Sequence, residues 1–287
     1  MQQKIDGKLL AVQIDDFTRS HATELGKLTI INASPDPATE IWTKRKLEKA
    51  ESLGIACEIV KRDADVSANL LIELIEQFNA DSKIGGILVQ LPLFSHLEPN
   101  RMEILNAINP DKDVDGLTAV NQGKLMADMP ALLPATVAGV LEIIRYTELA
   151  EKYVPFSEIN LAGKEVVIIN HSILIGRPLS QALLNYGATV TICHEHTIDL
   201  KKHTEQADIL ITATGQVGLI DHSFVKAGAV VIDVSTIPTD AGLKGDVNID
   251  DEFLAKVKAY TPVPGGVGPM TTSCLMANMV FAQKQNL

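Results

Sequence analysis

Cysteines, aromatic side chains and long hydrophobic runs are scarce in this sequence. Its cysteines, Cys57, Cys193 and Cys274, are odd in number and far apart, and no CxxC pair exists. This argues against a disulfide framework and a zinc knuckle. No run approaches the length that spans a bilayer, and the N-terminus MQQKIDGKLL lacks the apolar region of a signal peptide. We therefore expect a cytoplasmic protein that binds no metal.

Positive charge is also in short supply. The formal net charge is -11, which argues against nucleic acid or an anionic membrane as a partner. Binding of an anionic ligand would need a local structural feature that attracts negative charge, such as the N-terminus of a helix. The composition is 46% hydrophobic but only 4% aromatic, so the cores are aliphatic, which favours parallel sheets covered by helices.

Short apolar strands alternate with helices along the chain, a rhythm typical of βαβ units. In the first half we predict strands at Leu28–Asn32, Ala56–Val60 and Ile84–Val89, and helices at Ile5–Glu24, Pro37–Gly54, Ser67–Phe78, Arg101–Ile108 and Thr136–Tyr146. After an irregular stretch, Ala150–Gly163, we predict strands at Glu165–Asn170, Thr189–Cys193, Ile209–Ala213 and Val230–Asp233, and helices at Pro178–Gly187 and Thr272–Gln283. The fold class is α/β, with two α/β domains and parallel sheets.

The length of 287 residues suggests two domains of ordinary size. We expect a first domain at residues 1–148 and a second, Rossmann-like domain at residues 149–269. The C-terminal helix, within residues 270–287, is apolar enough to pack back on the first domain.

The helix predicted from Pro37 to Gly54 carries a conspicuous combination of side chains. Asp36 can cap it and Pro37 suits its first position, while Gly54 suits its end. Thr39, Trp42 and Lys46 share one face, and an indole beside an ammonium suits the binding of a flat polar ligand. The alternative is a half-buried tryptophan beside a solvated Lys-Arg-Lys run.

The second half contains a strand–loop–helix–strand unit of the shape that binds dinucleotides. Of the GxGxxG fingerprint only Gly176 is present, so a plain structural unit is an equal alternative. Glu195 follows the second strand, about 20 residues beyond the loop, where an acidic residue binds the ribose hydroxyls of NAD and repels a 2′-phosphate. An exposed loop glutamate is the alternative, and the flanking His194 and His196 make no metal site without further ligands.

A stretch rich in proline and glycine, Thr261–Thr271, precedes the last predicted helix. Such residues let the backbone approach a ligand closely, although a structural turn is the alternative. We expect this stretch to be a ligand-binding loop.

Three stretches together resemble one family: GILVQLPL (Gly86–Leu93), PDKDVDG (Pro110–Gly116) and TPVPGGVGPMT (Thr261–Thr271). The chain is similar, over nearly its whole length, to the bifunctional methylenetetrahydrofolate dehydrogenase / methenyltetrahydrofolate cyclohydrolase family of one-carbon metabolism. The resemblance implies hydride transfer from the folate methylene carbon to a nicotinamide, followed by attack of water on the methenyl carbon. It also implies a cleft between the two domains, NADP as the usual cofactor, tetrahydrofolate derivatives as substrates, and a homodimer formed through the cofactor domains.

The resemblance assigns roles residue by residue. Lys46 would support the attack of water, Gln90 would hold the lysine or the water, and Asp115 would bind the pterin N–H groups. The implied substrate-binding residues are Thr39, Trp42, Val89, Leu91, Pro264, Gly265, Gly266, Val267, Gly268, Pro269, Met270 and Thr271. The implied cofactor-binding residues are Asn170, His171, Ser172, Gly176, Arg177, Pro178, Glu195 and Thr236.

Several positions depart from the family pattern, and most lie on the cofactor side. Trp42 replaces a tyrosine, Asn170-His171-Ser172 replaces Gly-(Arg or Ala)-Ser, and Ser235-Thr236-Ile237 replaces Gly-Ile-Asn. Glu195 stands where a serine often faces the 2′-phosphate, and therefore argues for NAD over NADP. The leading hypothesis keeps both activities. The alternative is a paralogue that retains cyclohydrolase or folate binding only, with the dehydrogenase weakened by the cofactor loop.

Overall fold

The computed structural model describes residues 3–149 and 154–284. In this part of the chain the strands are β1 (Gln3–Lys4), β2 (Lys27–Asn32), β3 (Cys57–Lys61), β4 (Ile84–Gln90), β5 (Glu165–Ile169), β6 (Thr189–Cys193), β7 (Ile209–Thr212), β8 (Val230–Asp233), β9 (Ile237–Thr239), β10 (Gly242–Lys244) and β11 (Ala259–Tyr260). The α-helices are α1 (Gly7–Arg19), α2 (Pro37–Ser52), α3 (Ala68–Ala80), α4 (Arg101–Asn106), α5 (Ala119–Met126), α6 (Ala135–Leu149), α7 (Gly176–Asn185), α8 (Leu200–Thr204), α9 (Asp251–Lys256) and α10 (Val267–Lys284).

Backbone contacts divide the chain into two compact units. Unit 1 comprises residues 1–13 and 136–271, and unit 2 comprises residues 14–135 and 272–287. The contacts thus group α6 with unit 1, whereas the sequence placed the boundary near residue 148. The predicted boundaries of the folate-binding and cofactor-binding domains stay a prediction.

Unit 2 is built on a three-stranded parallel sheet in the order β3-β2-β4. Because all three strands run in the same direction, their carboxyl ends meet at one edge, where Asn32 pairs with Gln90. Leu28 and Ile30 of the sheet pack in one core cluster with Leu275 and Met279 of α10. This cluster is aliphatic, as the composition indicated, and it fixes α10 to unit 2.

Unit 1 contains a six-stranded parallel sheet in the order β1-β11-β8-β7-β5-β6. From β5 the strand order proceeds to β6 on one side and to β7 and β8 on the other. The order therefore reverses between β5 and β7, and in open α/β sheets ligands bind at the carboxyl ends of the strands on either side of such a reversal. β9 and β10 form a separate antiparallel hairpin.

Most of the predicted strands and helices are confirmed to within two or three residues, but some predictions were wrong. The first helix stops at Arg19, and Ala22–Glu24 forms a separate 3₁₀ turn. The last helix begins at Val267 rather than Thr272, because Pro269 is compatible with the first turn of a helix. The irregular stretch was predicted from residue 150, and its residues 150–153 lie outside the described residues. In the described residues, no helix is both long and apolar enough to cross a membrane.

Candidate active site

Helix α2 presents the candidate lysine, and its ends form as the sequence predicts. Oδ1 of Asp36 accepts a hydrogen bond from the Ala38 N–H at 2.8 Å, and Pro37 is the first helical residue. Gly54, just beyond the end, has a φ of 79°. Because α2 directly follows β2, it starts at the carboxyl edge of the unit 2 sheet.

Lys46 reaches from α2 to the last residue of β4. Its Nζ donates to Oε1 of Gln90 at 2.6 Å, and Nε2 of Gln90 donates in turn to the Leu91 carbonyl at 2.7 Å. Gln90 is only 7% exposed, so these two bonds fix its side chain. Lys44 and Arg45 are exposed. The alternative of a solvated Lys-Arg-Lys run therefore describes the first two residues but not Lys46.

Asp115 lies close enough to Lys46 for the two charges to influence each other. Burial raises the pKa of Asp115 to about 6, and the negative charge of Asp113 also raises it. The Lys46 ammonium and the hydrogen bond from the Ala135 N–H act in the opposite direction. Burial lowers the pKa of Lys46, and Asp115 partly offsets this. Both charged forms are therefore less favourable here than in water, and such perturbed groups are typical of acid–base sites.

The loop that carries Asp115 is held by buried polar side chains that the sequence did not single out. Oδ2 of Asp113 accepts from the Thr118 N–H at 2.8 Å and from Nδ2 of Asn121 at 3.0 Å. Nδ2 of Asn278 donates to the carbonyls of Val114 and Leu133 at 2.8 and 2.9 Å. In the sequence, the one indication of this role was that Asn278 is a polar residue within the largely apolar α10. These bonds fix the backbone on both sides of Asp115.

The other predicted substrate residues of unit 2 differ in their surroundings. Trp42 is 43% exposed, so its indole is available to a ligand. Thr39 is fully buried, and its hydroxyl donates to the Asp36 carbonyl at 2.6 Å. Val89 is buried in β4, whereas Leu91 is partly exposed. The structure therefore supports a surface role for Trp42 and a packing role for Thr39 and Val89.

The predicted loop from Pro264 to Thr271 is a loop only at its start, because Val267–Thr271 belong to α10. Val267 and Met270 are buried in the described structure, while Pro264 and Gly268 are exposed. The Gly7 N–H donates to the Gly265 carbonyl at 2.9 Å. The expectation that the whole stretch is a loop was thus wrong. Contact of these residues with folate stays a prediction.

The loop after β5 is organised by Asn170. Its Oδ1 accepts from the N–H groups of Ser172 and Gly176 at 2.8 and 3.0 Å, and its Nδ2 donates to the Ala213 carbonyl at 2.7 Å. Gly176 has no room for a side chain, since a Cβ there would lie 2.0 Å from the Asn170 carbonyl oxygen. Asn170 therefore bridges the two loops that follow β5 and β7, where the strand order reverses.

The N-terminus of α7 follows this loop. The Arg177 N–H donates to the Ser172 carbonyl at 3.0 Å, and Nε of Arg177 donates to the His171 carbonyl at 2.9 Å. The N–H groups of Gly176 and Arg177 thus bond within the loop, so α7 offers an anion its dipole rather than these two donors. Pro178 is buried as the third helical residue.

Glu195 lies in the loop after β6, among histidines. Its carboxylate oxygens are 3.7 Å from Nδ1 of His171 and 3.9 Å from Nε2 of His196. Its own backbone N–H and the neighbouring imidazoles lower the pKa of Glu195. The structure thus brings Glu195 and His171 together, while Thr236 is exposed just before β9. Among the described residues, no group of three or more His, Cys, Asp or Glu side chains is arranged to hold a metal ion.

The fold and these sites define a class of protein: an α/β protein with a dinucleotide-binding unit and a second unit with a partly buried, hydrogen-bonded lysine. The particular family follows from comparison with known proteins. The model for the tetrahydrofolate dehydrogenase/cyclohydrolase catalytic domain matches residues 5–115, and that for the NAD(P)-binding domain matches residues 134–287. The chain belongs to this family.

Individual relatives match along the whole chain. The bifunctional protein FolD of Agathobacter rectalis is 40% identical over 293 residues, which cover 99% of this chain and 100% of the relative. The crystal structure of the bifunctional FolD enzyme from Campylobacter jejuni is 36% identical, with a TM-score of 0.91 and full coverage of both chains. The FolD structure from Trypanosoma brucei, complexed with NADP and an inhibitor, is 30% identical with a TM-score of 0.87 and covers 99% of this chain and 98% of that one.

Proposed function

We propose that this chain catalyses two consecutive steps on folate. The first is oxidation of 5,10-methylenetetrahydrofolate to the 5,10-methenyl form with NAD(P), and the second is hydrolysis of that form to 10-formyltetrahydrofolate. The observation that carries the proposal is the arrangement of Lys46, Gln90 and Asp115 in a chain that belongs to the family. Of these, Lys46 and Gln90 are joined by a hydrogen bond of 2.6 Å.

In the hydrolytic step, water adds to the methenyl carbon, a C–O bond forms, and the bond from that carbon to N5 breaks. The attacking water gives up both of its protons: one goes to N5, and the other is released because the methenyl form is a cation and the product is not. A group that can exchange protons near neutral pH is therefore needed. Lys46 suits this role because burial lowers the pKa of its ammonium. Gln90 accepts from Lys46 and so holds the amine in one orientation.

Substrate recognition in unit 2 follows from charge and shape. The ionised carboxylate of Asp115 can accept two hydrogen bonds from the amino and ring N–H groups of a pterin. The exposed indole of Trp42 offers a flat surface for stacking on the pterin ring. Stacking survives the replacement of the family tyrosine, whereas a hydrogen bond from a phenol does not.

The residues of unit 1 fit a dinucleotide cofactor. The loops after β5 and β7 flank the reversal of strand order, and a close backbone approach at Gly176 keeps the first of them compact. The dipole at the N-terminus of α7, the Ser172 hydroxyl and the Arg177 guanidinium would hold the pyrophosphate, with His171 and Glu195 near the adenosine ribose. When bound, the nicotinamide supplies the acceptor for the hydride.

We assign NAD as the preferred cofactor. A carboxylate beside the ribose accepts hydrogen bonds from hydroxyls but repels a 2′-phosphate. Glu195 is ionised at neutral pH, because a glutamate ordinarily titrates well below pH 7 and its surroundings lower its pKa further. The neighbouring histidines, with Lys201 and Lys202 of α8, would reduce this repulsion and leave some activity with NADP. The absence of a metal requirement, the homodimer and the cytoplasmic location stay predictions from the sequence.

A coupled assay on one preparation tests the proposal. Reduction of NAD and of NADP is followed with methylenetetrahydrofolate, and loss of methenyltetrahydrofolate is followed separately without cofactor. We expect both activities, with a higher kcat/KM for NAD than for NADP. A protein that performs neither step would refute the function, and a strong preference for NADP would refute the cofactor assignment alone.

The alternative of a weakened dehydrogenase rested on Asn170 narrowing the cofactor loop. Its side chain turns into the loop, where it makes two hydrogen bonds, and it makes a third to the Ala213 carbonyl in the loop after β7. The structure therefore gives this alternative no support.

A further inference from the structure

The loops that follow β7 and β8 converge on two buried carboxylates that have no role in the steps above. Asp246 is fully buried. Its Oδ2 accepts from the Thr212 hydroxyl at 2.6 Å and from the Thr214 N–H at 2.7 Å, and its Oδ1 accepts from the Gln216 N–H at 3.0 Å. Asp246 thus fixes the backbone of the loop after β7.

Asp233, the last residue of β8, is also buried. Its Oδ1 accepts from the Ser235 N–H at 3.0 Å and its Oδ2 from the Val247 N–H at 2.9 Å. The chain passes so close that a Cβ on Gly245 would lie 2.1 Å from Oδ2. Asp233 therefore joins the loop after β8 to the segment that follows β10.

Ser235 connects the two loops. Its Oγ accepts from the Gly215 N–H at 3.1 Å. The family pattern has glycine at this position, and a glycine cannot accept such a bond. Together, Asp246, Ser235 and Asp233 link the segments after β7, β8 and β10 into one continuous hydrogen-bond network.

This network adjoins the place where a dinucleotide binds. The Ala213 carbonyl, at the start of the loop after β7, accepts the hydrogen bond from Asn170 that bridges the reversal of strand order. We propose that Asp233, Asp246 and Ser235 are positioning residues that hold the loops after β7 and β8 in the conformation that binds the dinucleotide. This inference rests on the proposed dehydrogenase function.

The network also gives cofactor binding a pH dependence. Burial raises the pKa of Asp233 to about 7, and the nearby negative charge of Asp246 also raises it. The hydrogen bonds from the backbone N–H groups of Val247, Ser235 and Asp246 act in the opposite direction. Asp246 is the charged group that faces Asp233. Asp233 also forms hydrogen bonds with the Thr261 hydroxyl, which donates to the Asp233 carbonyl and accepts from its N–H. Since charge-assisted hydrogen bonds are roughly twice as strong as neutral ones, a proton on Asp233 weakens the hold on both segments. Affinity for the cofactor should therefore fall as the pH is lowered through 7.

Direct titration with NADH and with NADPH, followed by the fluorescence of the bound nucleotide, tests the inference without catalysis. Ser235→Ala removes one hydroxyl, and we expect Kd to rise about fivefold. Asp233→Asn removes one acceptor, and we expect a rise of about tenfold together with loss of the pH dependence. Asp240→Asn, which removes the same charge from the exposed turn between β9 and β10, is the matched control and should leave Kd unchanged.

Cyclohydrolase activity and Tm on the same preparations show whether each variant is folded. The wild-type titration from about pH 8 to about pH 6 needs no variant, and Kd should rise with a midpoint near 7. Unchanged Kd in Ser235→Ala, or a flat wild-type pH profile, would overturn the positioning role while leaving the proposed function intact. Failure of the wild type to bind either nucleotide would overturn both.

Discussion

The ammonium of Lys46 lies 2.6 Å from the amide oxygen of Gln90, 44 residues further along the chain. A neutral acceptor at this distance orients the amine and stabilises its charge less than a carboxylate would, so burial still lowers the pKa of Lys46. The choice of glutamine rather than glutamate at this position therefore matters to the chemistry.

Gln90→Glu tests this relationship. A carboxylate beside the ammonium should raise the pKa of Lys46 and move the rising limb of the pH–rate profile to higher pH. At pH 7 we expect slower hydrolysis of methenyltetrahydrofolate, with a smaller loss at higher pH. Gln77→Glu, an exposed change on α3, serves as the control and should not move the profile. If the pH–rate profile of Gln90→Glu is not shifted, Lys46 is not the group that transfers the proton.

Asp115 should contribute to function at the expense of stability. Its pKa rises from 3.8 to about 6 in the folded chain, so the folded state holds the proton more tightly than the unfolded state. Stability is therefore lost as the pH rises from about 4 to about 6, and the full cost, on the order of 2–3 kcal/mol, is present above that range.

We expect Asp115→Asn to raise Tm at pH 8 and to leave it nearly unchanged at pH 4, while folate binding is lost. The variant also loses the attraction between Asp115 and Lys46, which makes the rise in Tm smaller. The sign of the change in Tm and its dependence on pH are therefore more informative than its size. Thermal unfolding of both proteins at the two pH values makes the comparison. A lower Tm for the variant at pH 8 would show that the carboxylate stabilises the fold instead.

The cofactor loop yields a prediction opposite to the one that its sequence suggests. Asn170→Gly restores the family residue, yet it removes two hydrogen bonds within the loop after β5 and the one that ties this loop to the loop after β7. We expect affinity for NADH to fall about tenfold, measured by direct titration, with cyclohydrolase activity unchanged in the same preparation. Tighter binding in the variant would mean that the asparagine obstructs the nucleotide.

Cofactor preference should depend on Glu195. Glu195→Ser removes the negative charge beside the ribose, and we expect kcat/KM to rise about tenfold for NADP and to fall for NAD. Glu158→Ser, at an exposed position of the same unit, is the control for loss of an acidic side chain. If the ratio of the two kcat/KM values stays the same in Glu195→Ser, another residue sets the preference.

The sequence predicts those strands and helices well that are marked by neighbouring residues, such as a short apolar run or a capping residue. Strands β2, β6 and β8 are short apolar runs, and α2 has a cap, a proline and a glycine at the expected places. Helix α5 was missed because it contains Gly123 and has little apolar periodicity, although its cap, Thr118, accepts from the Asn121 N–H. Strand β1 was missed since it has two residues and forms only by pairing with β11.

The site was harder to predict than the fold. Nothing in the local pattern places Lys46 against Gln90, because their contact depends on the strand order β3-β2-β4 and on how α2 packs beside that sheet. The resemblance to the family supplied this pairing. The roles of Asp113, Asn278 and the Asp233–Asp246 pair depend on contacts between distant segments, which a single sequence does not display.

The most direct test of the central claim is the hydrolysis of methenyltetrahydrofolate by Lys46→Met, compared with Lys44→Met. Lys44 lies on the same helix with an exposed side chain, so it controls for loss of a positive charge from α2. We expect Lys46→Met to lose about 10²- to 10⁴-fold in kcat while folate affinity changes little, and Lys44→Met to remain fully active. A Lys46→Met protein that hydrolyses its substrate at nearly the wild-type rate would contradict the account.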